Sequence, residues 1–131
     1  GEDGTLTTSL DDYPAAAKKV AQDLNVPFID LNSMTKTLYE ALGPENSKKL
    51  FVIYPANTFP GQKEALNDNT HFNSYGAYQL TKCIIEGIKE NKLELKNFLV
   101  KDIPSFNPAK PDPFESFSLP ISPQSPVVIS K

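Results

Sequence analysis

Cysteine is nearly missing from this 131-residue chain, and the single Cys83 excludes any disulfide within it. Cys83 sits in the apolar run Leu80-Thr81-Lys82-Cys83-Ile84-Ile85, the setting of an inert, buried thiol. A reactive thiol needs an exposed, electropositive site, which such a run does not offer. No apolar stretch is long enough to cross a bilayer, and no signal peptide is recognisable, so no membrane partner is expected. The opening Gly1-Glu2-Asp3-Gly4-Thr5 reads as a cut rather than a natural amino terminus. A basic block is also lacking. Net charge is −3, with Lys and Glu interleaved, and phosphate recognition needs a concentrated basic face; nucleic acid is not an expected partner. The hydrophobic share, 39%, is low for a compact domain. Seven of the twelve prolines lie at Pro104 and beyond, which leaves about one hundred residues for a single core.

Histidine is equally scarce, and here scarcity points somewhere. The only one, His71, follows Asp68 by three residues and precedes an amphipathic helix. Neutral imidazole is the best general base near pH 7, and a carboxylate that fixes its tautomer and orientation makes it effective. A three-residue turn would let Asp68 reach the ring. The plain alternative is a helix N-cap aspartate beside a surface histidine. A metal reading is weak, because a lone histidine cannot build a zinc site without carboxylate help. No metal and no cofactor are expected.

Along the chain, Ser9, Asp11, Asp12 and Pro14 predict a helix start, and Ala16, Ala17, Val20, Ala21 and Leu24 make one apolar face, giving a helix over about Asp12 to Leu24. Phe28-Ile29-Asp30-Leu31 is β-leaning, and helix–strand–helix order suggests a layered α/β fold. A second helix is expected from a cap at Asn32 or Ser33, carrying Met34, Leu38 and Leu42, until Gly43-Pro44 stops it. A short helical turn, Glu45 to Leu50, leads into an extended Phe51 to Tyr54. The loop Pro55 to Asn67 is long enough to be functional. Ala77, Leu80, Thr81, Ile84, Ile85 and Ile88 then mark a helix over about Asn73 to Glu90. Beyond it, Phe98, Phe106, Phe114 and Phe117 stand among prolines, suited to anchoring a Pro-rich tail across a domain surface. One or two strands cannot cover three amphipathic helices, so either the fold is small and irregular or, the favoured case, a further part of a larger sheet or a second chain covers the exposed sheet or helix faces.

The string Asp68-Asn69-Thr70-His71-Phe72, followed by Tyr75-Gly76-Ala77, resembles the last motif of the SGNH (Gly-Asp-Ser-Leu type) hydrolases, and more narrowly the rhamnogalacturonan acetylesterases. The similarity extends through Ile29-Asp30-Leu31-Asn32, Ala41-Leu42-Gly43-Pro44, Lys49-Leu50-Phe51, Pro55 to Gly61 and Glu86-Gly87-Ile88-Lys89. It implies an α/β class, the C-terminal portion of a three-layer α/β/α sandwich over residues 1–95, followed by a Pro-rich extended tail over 96–131. By the same resemblance His71 is the general base, Asp68 orients it, and Asn57, Thr58 and Phe59 help wall a sugar cleft. The partner implied is an acetylated pectic polysaccharide, which places the protein outside the cell or in a periplasm.

The family's nucleophile lies in a Gly-Asp-Ser motif, and none occurs in these 131 residues. The oxyanion-hole glycine and the Gly-x-Asn-Asp motif are absent too, and Ser9, Ser33 and Ser74 do not match the nucleophile's context. The expectation is an acetylesterase fragment whose serine-bearing half lies elsewhere. The alternatives are a non-catalytic carbohydrate-binding or structural remnant of an SGNH hydrolase, and an SGNH esterase acting on lipid, peptidoglycan or xylan acetyl groups.

Overall fold

The structure, a computed structural model, describes residues 3–119. Helix α1, Tyr13–Asp23, starts at Asp12 with Pro14 in its first turn and ends where Asn25 turns left-handed (φ 50). Its expected apolar face is mostly bare. Only Ala21 is buried, while Val20 and Leu24 are 56% and 67% exposed.

The expected strand at Phe28 to Leu31 is not one among the described residues. Residues 28–30 run without a ladder partner, and Leu31 already belongs to helix α2, Leu31–Ser47. A β-leaning run becomes a strand only when a neighbour accepts its hydrogen bonds. Here Ile29 packs against Gly87, and Asp30 serves as the cap of α2, accepting from the Ser33 amide at 3.0 Å. The cap is therefore Asp30 rather than Asn32 or Ser33. Lys18 reinforces it with an ion pair at 2.9 Å. Gly43 stops the first segment, as its positive φ of 73 requires, and the chain resumes helical turns from Pro44 before a 3₁₀ turn, Lys48–Leu50.

Strand β1, Phe51–Tyr54, pairs antiparallel with β2, Leu66–Phe72, in a two-stranded sheet. Strand β2 takes in the last two residues of the segment expected to be a loop. Helix α3, Ser74–Glu90, supplies most of the core, with Tyr75, Leu80, Cys83 and Ile88 buried; Leu38 and Leu50 meet Tyr75 and Leu80 in the central cluster. Asn73 fastens the start of α3 to the entry of β1. Its side chain accepts from the Gly76 amide at 3.0 Å and donates to the carbonyls of Lys49 and Phe51 at 2.8 and 2.9 Å.

Beyond α3 the chain passes through a 3₁₀ turn, Glu94–Phe98, and returns along the helix. The Tyr75 hydroxyl donates to the Asp112 carbonyl at 2.6 Å, Lys82 pairs with Asp112 and lies 4.3 Å over the Phe106 ring, and Phe114 and Phe117 meet Tyr75 edge-on. Aromatic anchors and two ion pairs, the second between Lys49 and Glu115, hold a segment with no core of its own. Pro120, Pro123 and Pro126 lie outside the described residues. The described residues make a small mixed domain of three helices and one two-stranded sheet, compatible with part of an α/β fold.

Candidate active site

Asp68 and His71 both lie in β2, and a regular strand would keep them apart. Three residues of extended chain span about 10 Å and turn side chains to opposite faces. The register of the sheet shows what brings them together. Phe51 faces Phe72, but the next residue of β1, Val52, faces Asp68. Asn69, Thr70 and His71 therefore bulge out of the ladder, and the backbone wraps around the Asp68 carboxylate. Bulges commonly re-aim side chains in this way. On the far side, Asn73 and α3 fix where the bulge ends.

Within the bulge, Asp68 Oδ1 accepts from the Thr70 hydroxyl at 2.7 Å, the Thr70 amide at 2.8 Å and the His71 amide at 3.0 Å. Asp68 Oδ2 lies 2.7 Å from His71 Nδ1. The Thr70 hydroxyl, then the His71 and Thr70 amides, then the imidazole hold this carboxyl far below the usual carboxylate range, so it is ionised at any physiological pH. Facing an ionised oxygen at 2.7 Å, Nδ1 carries the proton of the neutral ring, which leaves the lone pair on Nε2. Among the described residues Nε2 has no hydrogen-bond partner, and the imidazole is 79% exposed. The pair is an imidazole oriented by a carboxylate, with Nε2 open.

That geometry overturns the plain alternative for Asp68. The N-cap of α3 is Asn73, and Asp68 caps no helix. Cys83 is buried at the core side of α3, where burial pushes its thiol pKa up and keeps it protonated.

A groove of about 530 Å³ opens beside the bulge, between Leu6 to Leu10 and α2. Asn69 and Thr70 line it with Phe72, Phe51 and Tyr39, and Lys36 is its one charged wall residue. No motif marks this groove, since it needs the amino-terminal segment to fold against α2. Asn57, Thr58 and Phe59 do not line it. They close their own loop: the Thr58 hydroxyl donates to the Pro55 carbonyl at 2.7 Å, the Asn57 amide to the Gln62 carbonyl at 3.0 Å, and the Phe59 ring sits edge-on to Tyr54 at 4.9 Å.

Several carboxylates are held by bonds that only the folded chain makes, and this fixes a pH dependence. Asp68 is one; Asp30, held by Lys18 and the Ser33 amide, is another, and both have depressed folded-state pKa values. Groups of this kind stabilise the fold above their unfolded pKa, about 4, and that contribution fades as pH falls through the lower folded values. Thermal melts should therefore give a steady Tm from pH 7 to about 5 and a falling one below about 4. Asp68→Asn should shallow the fall; an unchanged slope in the variant would show that Asp68 does not carry it.

The chain is similar to known acetylesterases. Over 99 residues, 76% of the chain, it is 48% identical to the rhamnogalacturonan acetylesterase RhgT of Bacillus subtilis (strain 168), covering 43% of that protein. Over 101 residues it is 32% identical to the probable rhamnogalacturonan acetylesterase YesY of the same organism, covering 77% of this chain and 42% of that one. The resemblance carried by the motifs is thus a resemblance over three-quarters of the chain, and the chain spans less than half the length of the curated relatives it matches. No protein-family model and no solved structure matches it.

Proposed function

We propose that the chain provides the base and its orienting carboxylate to a serine-dependent acetylesterase of the SGNH type, acting on acetylated pectic rhamnogalacturonan. The observation that carries this reading is the 2.7 Å contact between Asp68 Oδ2 and His71 Nδ1, with Nε2 left open. The relatives' names supply the substrate class. In this reading a serine hydroxyl, carried by a Gly-Asp-Ser segment outside these 131 residues, gives its proton to Nε2 as its oxygen attacks the acetyl carbonyl. The imidazolium formed is stabilised by Asp68 and returns the proton to the departing sugar oxygen. Water, deprotonated by the same nitrogen, then releases acetate from the acyl-serine. The Asn57 to Phe59 loop would wall the sugar on one side.

A polymeric pectic substrate implies a secreted or periplasmic protein. The exposed Val20, Leu24 and Val26 suit a face that a second chain, or the serine-bearing part of the domain, covers. The rival reading, a non-catalytic remnant in which Asp68 caps a helix, is disfavoured because Asn73 does the capping.

The test is acetate release from acetylated rhamnogalacturonan by a protein holding these residues together with a Gly-Asp-Ser segment. His71→Ala should lower kcat on the order of 10⁴-fold or more, because it removes the only base. Asp68→Asn should lower it on the order of 10²- to 10⁴-fold with KM nearly unchanged, since orientation matters chiefly in the transition state. Full turnover in Asp68→Asn would reduce the pair to a structural contact. Parallel assays on acetylated xylan separate the pectic reading from that of a sister esterase.

A further inference from the structure

Thr70 stands between the two members of the pair and touches both. Its hydroxyl donates to Asp68 Oδ1 at 2.7 Å, and the same oxygen lies 3.2 Å from His71 Nδ1. A hydroxyl has one proton and two lone pairs. Once the proton is given to Oδ1, Thr70 presents only a lone pair to the imidazole. Asp68 Oδ2, at 2.7 Å, presents another to the same nitrogen.

Two acceptors converge on Nδ1, and a neutral ring satisfies them only when Nδ1 carries the proton. The other tautomer would set the ring's lone pair against that of Oδ2. It would also draw the Thr70 proton away from Oδ1, loosening the carboxylate. The Thr70 amide adds a second bond to Oδ1, so one residue fixes the rotation of the carboxylate through both backbone and side chain.

We propose that Thr70 is a positioning residue: its hydroxyl locks the Asp68 carboxylate and commits His71 to the Nδ1–H tautomer, leaving Nε2 free to take a proton. The inference rests on the reading of Asp68 and His71 as an orienter and base. It adds a residue that touches no reacting atom and acts through both partners.

His71 is the chain's only histidine, so a ¹⁵N-histidine-labelled sample of the whole chain gives two ring-nitrogen signals and no ambiguity. At about pH 8.5, where an ordinary imidazole is neutral, the wild-type chain should show a pyrrole-type Nδ1 and a pyridine-type Nε2. Thr70→Val, nearly the same shape without the hydroxyl, should shift the tautomer ratio toward Nε2–H by roughly five-fold, the net effect of one ordinary hydrogen bond. Thr70→Ser should restore the wild-type ratio. Amide shifts of α3 should stay put in all three, which separates loss of the lock from loss of the fold.

If Thr70→Val keeps the wild-type ratio, or Thr70→Ser fails to restore it, the role given to Thr70 is overturned while the pair stands. A wild-type chain with no excess of Nδ1–H would instead sink the orienter-and-base reading, and the Thr70 role with it. A measurement on the wild type alone gives a further check. Scalar couplings should place Thr70 χ1 in one rotamer, and rotamer averaging would refute the lock without any variant.

Discussion

The 131-residue chain, purified alone, should hydrolyse aryl acetates no faster than free imidazole at equal concentration. On the proposed reading His71 is the base, but a base by itself gives only a small part of an esterase's rate. A positioned nucleophile and donors for the oxyanion contribute the larger share, the donors alone about 10²- to 10³-fold. Among the described residues Nε2 is hydrogen-bonded to no hydroxyl. The nearest one, that of Thr70, is on the Nδ1 side and already donates to Asp68. Activity should appear only when a Gly-Asp-Ser segment is joined or added. Saturable turnover by the chain alone, lost in His71→Ala, would mean that it holds its own nucleophile, and the proposed division of the catalytic groups would be wrong.

The helices were legible in the sequence because each carries its own signals. Pro14 marks a first turn and Gly43-Pro44 a break, and the structure keeps both. The stripe from Ala77 to Ile88 locates α3 but not its buried face: only Leu80 and Ile88 of it are buried, Ala77, Thr81 and Ile84 are exposed, and the core side is Tyr75, Gln79, Leu80, Cys83, Gly87 and Ile88. Of the sheet, β1 was legible as the extended Phe51 to Tyr54, and β2 was not. Leu66 to Phe72, Leu-Asn-Asp-Asn-Thr-His-Phe, has neither alternation nor a β-branched run, and it is extended because β1 accepts it as a partner. Phe28 to Leu31 is the converse case: composition favours a strand, and no partner is present among the described residues. Asp68 and His71 could be picked out by spacing and chemistry. The means of bringing them together could not, because a three-residue bulge is a property of register rather than of the motif. Thr70 was hidden for the same reason. Its place between the two is visible only once the bulge folds.

Gly76→Ala should destabilise the fold by about 1–4 kcal/mol, although helix propensity alone predicts the opposite sign. In an open helix, Ala in place of Gly stabilises by about 1 kcal/mol. Gly76 is buried in the first turn of α3, and a Cβ built there would lie 2.1 Å from the Leu50 carbonyl oxygen and 2.9 Å from its carbon. These are backbone atoms of a fully buried residue, and they cannot step aside as a side-chain tip can. The Leu50 carbonyl also accepts from the Asn73 amide at 3.0 Å, so pushing α3 away strains the Asn73 links to Lys49 and Phe51 as well. Overpacking at about 1–3 kcal/mol and weakened buried hydrogen bonds at about 1–2 kcal/mol together exceed the gain in propensity. Gly87→Ala is the internal comparison. There the three atoms nearest the Cβ all belong to the Ile29 side chain, the first at 2.4 Å, on a segment with no ladder bonds to hold it. That chain can shift, and the loss should be smaller, about 1–2 kcal/mol. Urea unfolding of both variants decides the matter. Gly76→Ala should also disturb the His71 ring signals, because Asn73 sets where the bulge ends, whereas Gly87→Ala should not. A Gly76→Ala chain as stable as the wild type would mean that α3 does not lie against the Leu50 carbonyl, and the anchoring of the bulge would have to be sought elsewhere.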